Sequence, residues 1–370
     1  MNDLTLCALC GAKTQEDTGE RFHNQFLCHD CLEEHTVLCT RCGDRIWTDD
    51  NAGDYSTPLC QSCFDRYYTT CDNCGRVISN NDVYYEDEDD DNGYCWRCYE
   101  DRMARRRVIL DYYTKPAPIF YGDGPRYFGV ELEIDGGGEN GSNAQELLDC
   151  ANGPAIERMY VKHDGSLSDG LELVTHPMSL AYHLNEMPWP EVLQKARLLG
   201  YCSHQASTCG LHVHISRDAF GSSETEQDAA IARVLYFVEK NWLELLQFSR
   251  RTQRQLDRWA ARYGYKEQPR DILDHAKKGY HAGRYTCVNL ENSETVEFRI
   301  FRGTLKLNTL LATLQLVNRI CEVALFLSDD EIKAMSWPVF VSGCREPELV
   351  QYLKERRLYI NEPVCGEEEL

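Results

Sequence analysis

Six CxxC pairs crowd into the first hundred residues, and their leading members recur every 32 positions, at Cys7, Cys39 and Cys71. Each unit reads CxxCG, a spacer, then CxxC. The pairs are Cys7/Cys10 with Cys28/Cys31, Cys39/Cys42 with Cys60/Cys63, and Cys71/Cys74 with Cys95/Cys98. The first two units place 17 residues between their pairs and the third places 20. Four thiolates at such spacing suit a tetrahedral Zn²⁺ site. Units this short bury little apolar surface, so this region is expected to fold as three small modules, each held by a metal.

The local chemistry agrees. Gly11, Gly43 and Gly75 follow the first pairs, where a knuckle turn needs positive φ. Leu27, Leu59 and Tyr94 precede the second pairs, and helix-like stretches follow them. This order, knuckle, hairpin, then a second pair opening a helix, resembles treble-clef or LIM-like zinc modules. Nineteen cysteines in a small secreted chain would read as disulfides. Here there are 370 residues and no basic-then-apolar leader, so metal is the better reading and a cytoplasmic protein the expectation. Redox or purely buried cysteines would leave the regular spacing without a cause. His23, His29 and His35 read as surface residues, since four thiols already complete each site.

Charge narrows the partners. The chain carries a formal −21, and residues 1–100 hold 21 acidic against 7 basic side chains. A Zn²⁺ with four thiolates adds a further −2 per module. Nucleic acid is therefore not expected as a partner. The acidic array suits protein binding or a structural role, and Asp87 to Asp91 reads as a solvated loop. No apolar run approaches the ~20 residues of a membrane span, so no membrane partner is expected. Arg102, Arg105, Arg106 and Arg107 lie on an expected helix that Lys-Pro-Ala-Pro (115–118) breaks. The expected division is zinc modules over 1–105, a basic, proline-containing linker over 106–120, a large domain over 121–355 and an acidic tail over 356–370.

The large domain alternates strand and helix patterns. Strands are expected at 127–134, 159–162, 171–175, 210–216, 287–290 and 295–301. Helices are expected at 143–151, 180–200, 224–248, 308–327 and 346–355. This is an α+β domain with a mainly antiparallel sheet. In four strands the alternation places charge on one face. Glu131 and Glu133 oppose Val130, Leu132 and Ile134, and Glu172 interrupts an apolar run. His212 and His214 oppose Leu211, Val213 and Ile215, while Glu297 and Arg299 oppose Val296, Phe298 and Ile300. Singly, each is a half-exposed strand. Jointly, four glutamates on one face repel unless cations intervene, and two Mg²⁺ would balance them.

Gly-Val-Glu-Leu-Glu-Ile, His-Asp-Gly-Ser-Leu (163–167) with Gly-Leu-Glu-Leu-Val-Thr, Cys-Gly-Leu-His-Val-His-Ile-Ser, and Val-Glu-Phe-Arg-Ile-Phe-Arg-Gly-Thr-Leu resemble the phage and fungal amidoligase family. That family stands with glutamine synthetase and glutamate–cysteine ligase among carboxylate–amine ligases. The resemblance covers most of 125–305. It implies a glutamine synthetase-like fold and an ATP- and Mg²⁺-dependent joining of a carboxylate to an amine through an acyl phosphate.

By the same resemblance Glu131, Glu133, Glu172, His212 and Glu297 hold metal. His214 lies near the ATP phosphates and Asn289 completes the phosphate site. Arg299, with Arg302 as a second candidate, stabilises the transferring phosphoryl group, and Asp164 orients the amine. Asp164 reads equally as an Asp-Gly turn. Cys209 beside the histidines is not needed as a nucleophile. The N-terminal domain of glutamine synthetase itself is replaced here by zinc modules, which are expected to dock a protein or peptide substrate. Two rivals stand: an inactive zinc-module adaptor, and a zinc hydrolase using His212 and His214, although no HExxH motif is present.

Overall fold

The computed structural model describes residues 4–86, 91–278 and 283–359, with only the backbone of 104–107. Most of the acidic run 87–91, the side chains of Arg105 to Arg107 and the tail beyond 359 lie outside the described residues. The chain divides into two compact units, Met1–Ala104 and Arg105–Leu370.

In the first unit the thiols of each CxxC quartet converge. The Gly11, Gly43 and Gly75 amides donate to the carbonyls of Cys7, Cys39 and Cys71 at 2.9, 2.9 and 2.8 Å, closing three equivalent knuckles. Each of these glycines has φ between 69° and 80°, which an L side chain resists. Cys28 and Cys60 cap the helices His29–His35 and Gln61–Tyr67, while Cys95 immediately precedes Trp96–Val108. Leu27, Leu59 and Tyr94 are buried beneath the second pairs.

The second unit is built on an eight-stranded sheet. Its strands are β1 (Ile109–Leu110), β2 (Tyr127–Asp135), β3 (Met159–Lys162), β4 (Gly170–Thr175), β5 (Met178–Ser179), β6 (Gly210–Ser216), β7 (Val288–Asn289) and β8 (Thr295–Arg302). The order is β7-β8-β6-β2-β4-β3-β1, with β5 against the start of β2. All pairings are antiparallel except β3 with β1. Strand β1 lies inside the stretch expected as a linker, so part of that stretch belongs to the sheet. Its Ile109 is apolar and buried, which is what holds it there.

One sheet face is apolar and buried. Val130, Leu132, Ile134, Leu211, Val213, Ile215, Val296, Phe298 and Ile300 all belong to the main core with helices Glu224–Lys240 and Leu307–Phe326. Two expected helices are each split. Pro188, which lacks an N–H, separates Leu180–Asn185 from Trp189–Leu198. Asn241 leaves helical geometry between Glu224–Lys240 and Trp242–Ser249. Gln253–Trp259 and Pro269–Lys277 are two further helices, beyond those expected from the sequence.

Contrary to expectation, Leu307–Phe326 is long and apolar enough by length and composition to cross a membrane. Most of it is buried in the core, which accounts for its composition without a bilayer.

Candidate active site

Register assembles the other sheet face. Across β2 and β4, Glu133 stands opposite Glu172, and across β3 and β4, Lys162 stands opposite Glu172. Glu131 faces His212 across β2 and β6. His214 faces Glu297 across β6 and β8, and Asn289 of β7 faces Glu297 from the other side. Thus Glu131, Glu133, Glu172, His212, His214, Asn289, Glu297 and Arg299 all line one cavity of about 300 Å³.

The side chains are within reach of one another. His212 Nδ1 lies 3.2 Å from Glu131 Oε2 and 3.6 Å from Glu297 Oε1, while its Nε2 lies 3.8 Å from Glu133 Oε1. His214 Nε2 is 3.2 Å from Glu131 Oε1. Arg299 pairs with Glu297, whose other oxygen accepts from Asn289 Nδ2 at 2.8 Å. Lys162 Nζ sits 3.8 Å from Glu172 Oε2.

Two triads result, Glu131/His212/Glu297 and Glu133/Glu172/His212, each with ligand atoms within 4.8 Å of one another. They share His212. A neutral imidazole has one lone pair, so His212 can ligate on one side only and donates its N–H on the other.

Without a metal, charge in this cavity is divided unequally. Burial, then the charge of Glu131, pushes the Glu172 carboxyl well above its usual range. Burial also raises Glu133, against the attraction of His212. Glu131 goes the other way: burial opposes it, but His214 and hydrogen bonds from both histidines hold it well below the usual range. Metal-free, Glu172 and Glu133 therefore hold their protons to higher pH than free carboxyls do. A divalent cation with a preference for hard oxygen ligands fits where those protons sit.

Gly210 closes one end of the cluster. Its amide donates to Glu133 Oε2, and a Cβ there would lie 2.5 Å from Arg251 Nη2 and 2.7 Å from His212 Nε2. The loops around the cavity are gathered by Asp135 at the end of β2. Its carboxylate accepts from the Gly136, Ser168 and Asp169 amides and from Thr208 Oγ1, at 2.8 to 3.1 Å. Asp164 lines the cavity and also accepts from the Ser166 amide at 2.7 Å, so it serves its turn as well as facing the pocket.

Arg302 is a correction to the sequence reading. The β6–β8 register shifts between Leu211/Phe301 and Val213/Phe298, so two consecutive residues, Ile300 and Phe301, are both buried. Arg302 then pairs with Gly210 and lines a neighbouring cavity rather than this one. Arg251 occupies the space above Gly210 in its place.

Lys162, Arg251, Arg284, Tyr112, Trp259 and Tyr285 also line the cavity, without a motif that marks them in the sequence. Lys162 was legible in the alternation of β3. The others arrive from segments that only tertiary packing brings to the site. Together they form an aromatic, cationic wall. Arg284 Cζ lies 5.1 Å from the Tyr112 ring centre and 5.0 Å from that of Tyr285, which meets Trp259 edge-on at 5.5 Å.

Most of these residues fall in one segment with known counterparts. Residues 156–321 match the model of a family described as "Putative amidoligase enzyme". The match takes in Glu172, His212, His214, Asn289, Glu297 and Arg299, and a little under half of the chain. Glu131 and Glu133 precede it. No curated protein matches the chain. Among solved structures, a bifunctional glutathione synthetase from Pasteurella multocida is similar at 15% identity and a TM-score of 0.34. The alignment covers 62% of this chain and 46% of that one, so the chain spans under half of that protein.

The three thiol quartets fit a tetrahedral metal. Zn–S bonds of about 2.3 Å place sulfurs about 3.8 Å apart at the corners of a tetrahedron. The Cys10–Cys28, Cys42–Cys60 and Cys74–Cys95 sulfurs stand 3.7, 3.9 and 3.9 Å apart. Backbone N–H groups of Cys10 and Cys28 draw the Cys7 thiol down to about 6, which favours the thiolate a metal needs.

Proposed function

We propose that this chain is an ATP- and Mg²⁺-dependent carboxylate–amine ligase, with a glutamine synthetase-like catalytic unit and three zinc modules. The observation that carries this reading is the pair of carboxylate–histidine triads sharing His212, set beside Arg299 and an aromatic wall. The family match over 156–321 supports it. The zinc hydrolase is the weaker reading, because its single histidine-rich ion would leave two further buried glutamates uncompensated.

In this reading an oxygen of the substrate carboxylate bonds to the γ-phosphorus of ATP while the bond to the bridging oxygen breaks, releasing ADP. The amine nitrogen then attacks the acyl carbon, phosphate departs and a proton leaves the nitrogen. Glu131, Glu133, Glu172, His212 and Glu297 would hold Mg²⁺, which when bound withdraws charge from phosphate oxygens. Arg299, fixed by Glu297, presents its remaining guanidinium donors to the moving phosphoryl group. His214 and Asn289 keep Glu297 and Glu131 ionised and oriented from the phosphate side. Asp164 faces the cavity where an amine would enter and can orient it. The flat rings of Tyr112, Tyr285 and Trp259 suit stacking with a purine.

The test is to supply Mg·ATP, hydroxylamine and a panel of carboxylic acids, amino acids and peptides. Hydroxylamine captures an acyl phosphate as a hydroxamate, so one member of the panel should give hydroxamate and ADP in equal amounts. ADP formed without hydroxamate on every member, or hydrolysis of amides without ATP, would contradict the reading.

A further inference from the structure

Beside the reaction pocket lies a second cavity, of about 570 Å³, lined by His204, Gln247, Arg250, Arg251, Arg302 and Arg356 with two leucines. None of its lining residues is acidic, in a chain whose net charge is −21. Among the described residues none of these four arginines has a carboxylate within ion-pair distance. Two acids bear on them through charge: Glu133 on Arg251, and Glu355 on Arg250, the latter already paired with Lys306 at 2.9 Å.

The cluster is held in place rather than left to solvent. Arg356 donates through Nε and Nη2 to the Gln247 carbonyl at 3.0 and 2.8 Å. Arg302 Nη1 reaches the Arg250 carbonyl at 3.4 Å, and its Nε is buried without a hydrogen-bond partner. Arg250 adopts φ +62°, ψ 15° at the end of helix Trp242–Ser249, a conformation that glycine or asparagine normally supplies. From there its Nη2 donates to His204 Nε2 at 2.9 Å. Strain of this kind persists where the surroundings fix it, and it gathers at ligand clamps. Burial, then the charges of Arg250, Arg302 and Arg356, lowers His204 to about 4, so the imidazole adds a neutral acceptor and no further charge.

We propose that this cavity is a second anion site, one that receives a phosphate- or diphosphate-bearing ligand between Arg250, Arg302 and Arg356. Planar guanidinium forks in this number match the several oxygens and double charge of a phosphate better than a single carboxylate. The cavity exceeds a free phosphate, so the anion is one end of a larger ligand. Arg251 lines both cavities, which places that anion next to the Glu133 end of the reaction pocket. The site depends on no step of the proposed ligase reaction.

The probe is inorganic pyrophosphate, titrated by calorimetry into full-length, zinc-loaded protein without added Mg²⁺. Wild type and Arg299→Gln should bind it alike, whereas Arg302→Gln and Arg356→Gln should weaken it at least tenfold. Citrate should bind at least tenfold more weakly than pyrophosphate. Absent binding, loss in Arg299→Gln with retention in the other two, or citrate binding as tightly, would each overturn the proposal. Should Arg302→Gln and Arg356→Gln not fold, phenylglyoxal labelling of wild type decides. Pyrophosphate should protect Arg302 and Arg356 from modification, and unchanged labelling would contradict the site.

Discussion

Glu133 and Glu172 stand directly opposite each other across β2 and β4, both buried, with Glu131 on the same face two residues away. Like charges in that position destabilise a sheet. Burial and Glu131 raise the Glu172 carboxyl, which favours its protonated form in the metal-free protein. Glu172→Gln mimics that protonated form and removes the like-charge repulsion. Its metal-free stability at neutral pH should stay within about 1 kcal/mol of wild type. Wild type should melt higher with Mg²⁺, by about 3 kcal/mol at a hundredfold excess over Kd, and the variant should lose most of that gain. Thermal melts with and without Mg²⁺ read both effects.

Gly210→Ala tests the closeness of the cluster. The added methyl meets Arg251 and His212 below contact distance, so one of them must move. The cost should be about 1–3 kcal/mol of stability. The Mg²⁺-induced rise in Tm should fall further than that loss explains, because His212 serves both triads.

The N-terminal unit should bind three zinc ions per chain, one for each thiol quartet. Metal analysis after gel filtration measures this. Cys63→Ser should lower the count to two and make the Gln61–Tyr67 region sensitive to protease. Chelation should unfold the modules outright, since each buries only a few apolar side chains besides its thiols.

His183 gives a pH signature independent of the metals. It is buried against Trp189 and lies 2.9 Å from the Phe128 carbonyl, to which it donates. Burial lowers its pKa from 6.5 to about 4, so the folded protein keeps it neutral. The unfolded chain takes up that proton below about 6.5. Stability is therefore full above 6.5 and falls as pH drops towards 4, by about 3 kcal/mol, levelling off below. Denaturant midpoints of His183→Gln should lack this component when subtracted from wild type at each pH.

The strands carrying Glu131, Glu133, Glu172, His212, His214 and Glu297 were legible because period-two alternation with apolar partners is a local signal. Which strands neighbour one another was not, since pairing is tertiary. Arg302 shows the limit most clearly. Its spacing from Arg299 gives the face only if the β8 register shift is known, and nothing local announces that shift. Arg251 was invisible for another reason: it follows a helix end in a left-handed turn, and only packing over Gly210 brings it to the site. The split at Pro188 was written in the sequence. The one at Asn241 was not, because apolar residues continue across it.

The glutamate–histidine face should bind a nucleotide through Mg²⁺. Calorimetric titration of ATP into folded, zinc-loaded protein, with and without Mg²⁺, tests it without knowledge of the other substrates. Binding should require Mg²⁺ and be lost in Glu131→Gln/Glu297→Gln. No binding by wild type, or binding that the double variant keeps, would contradict it.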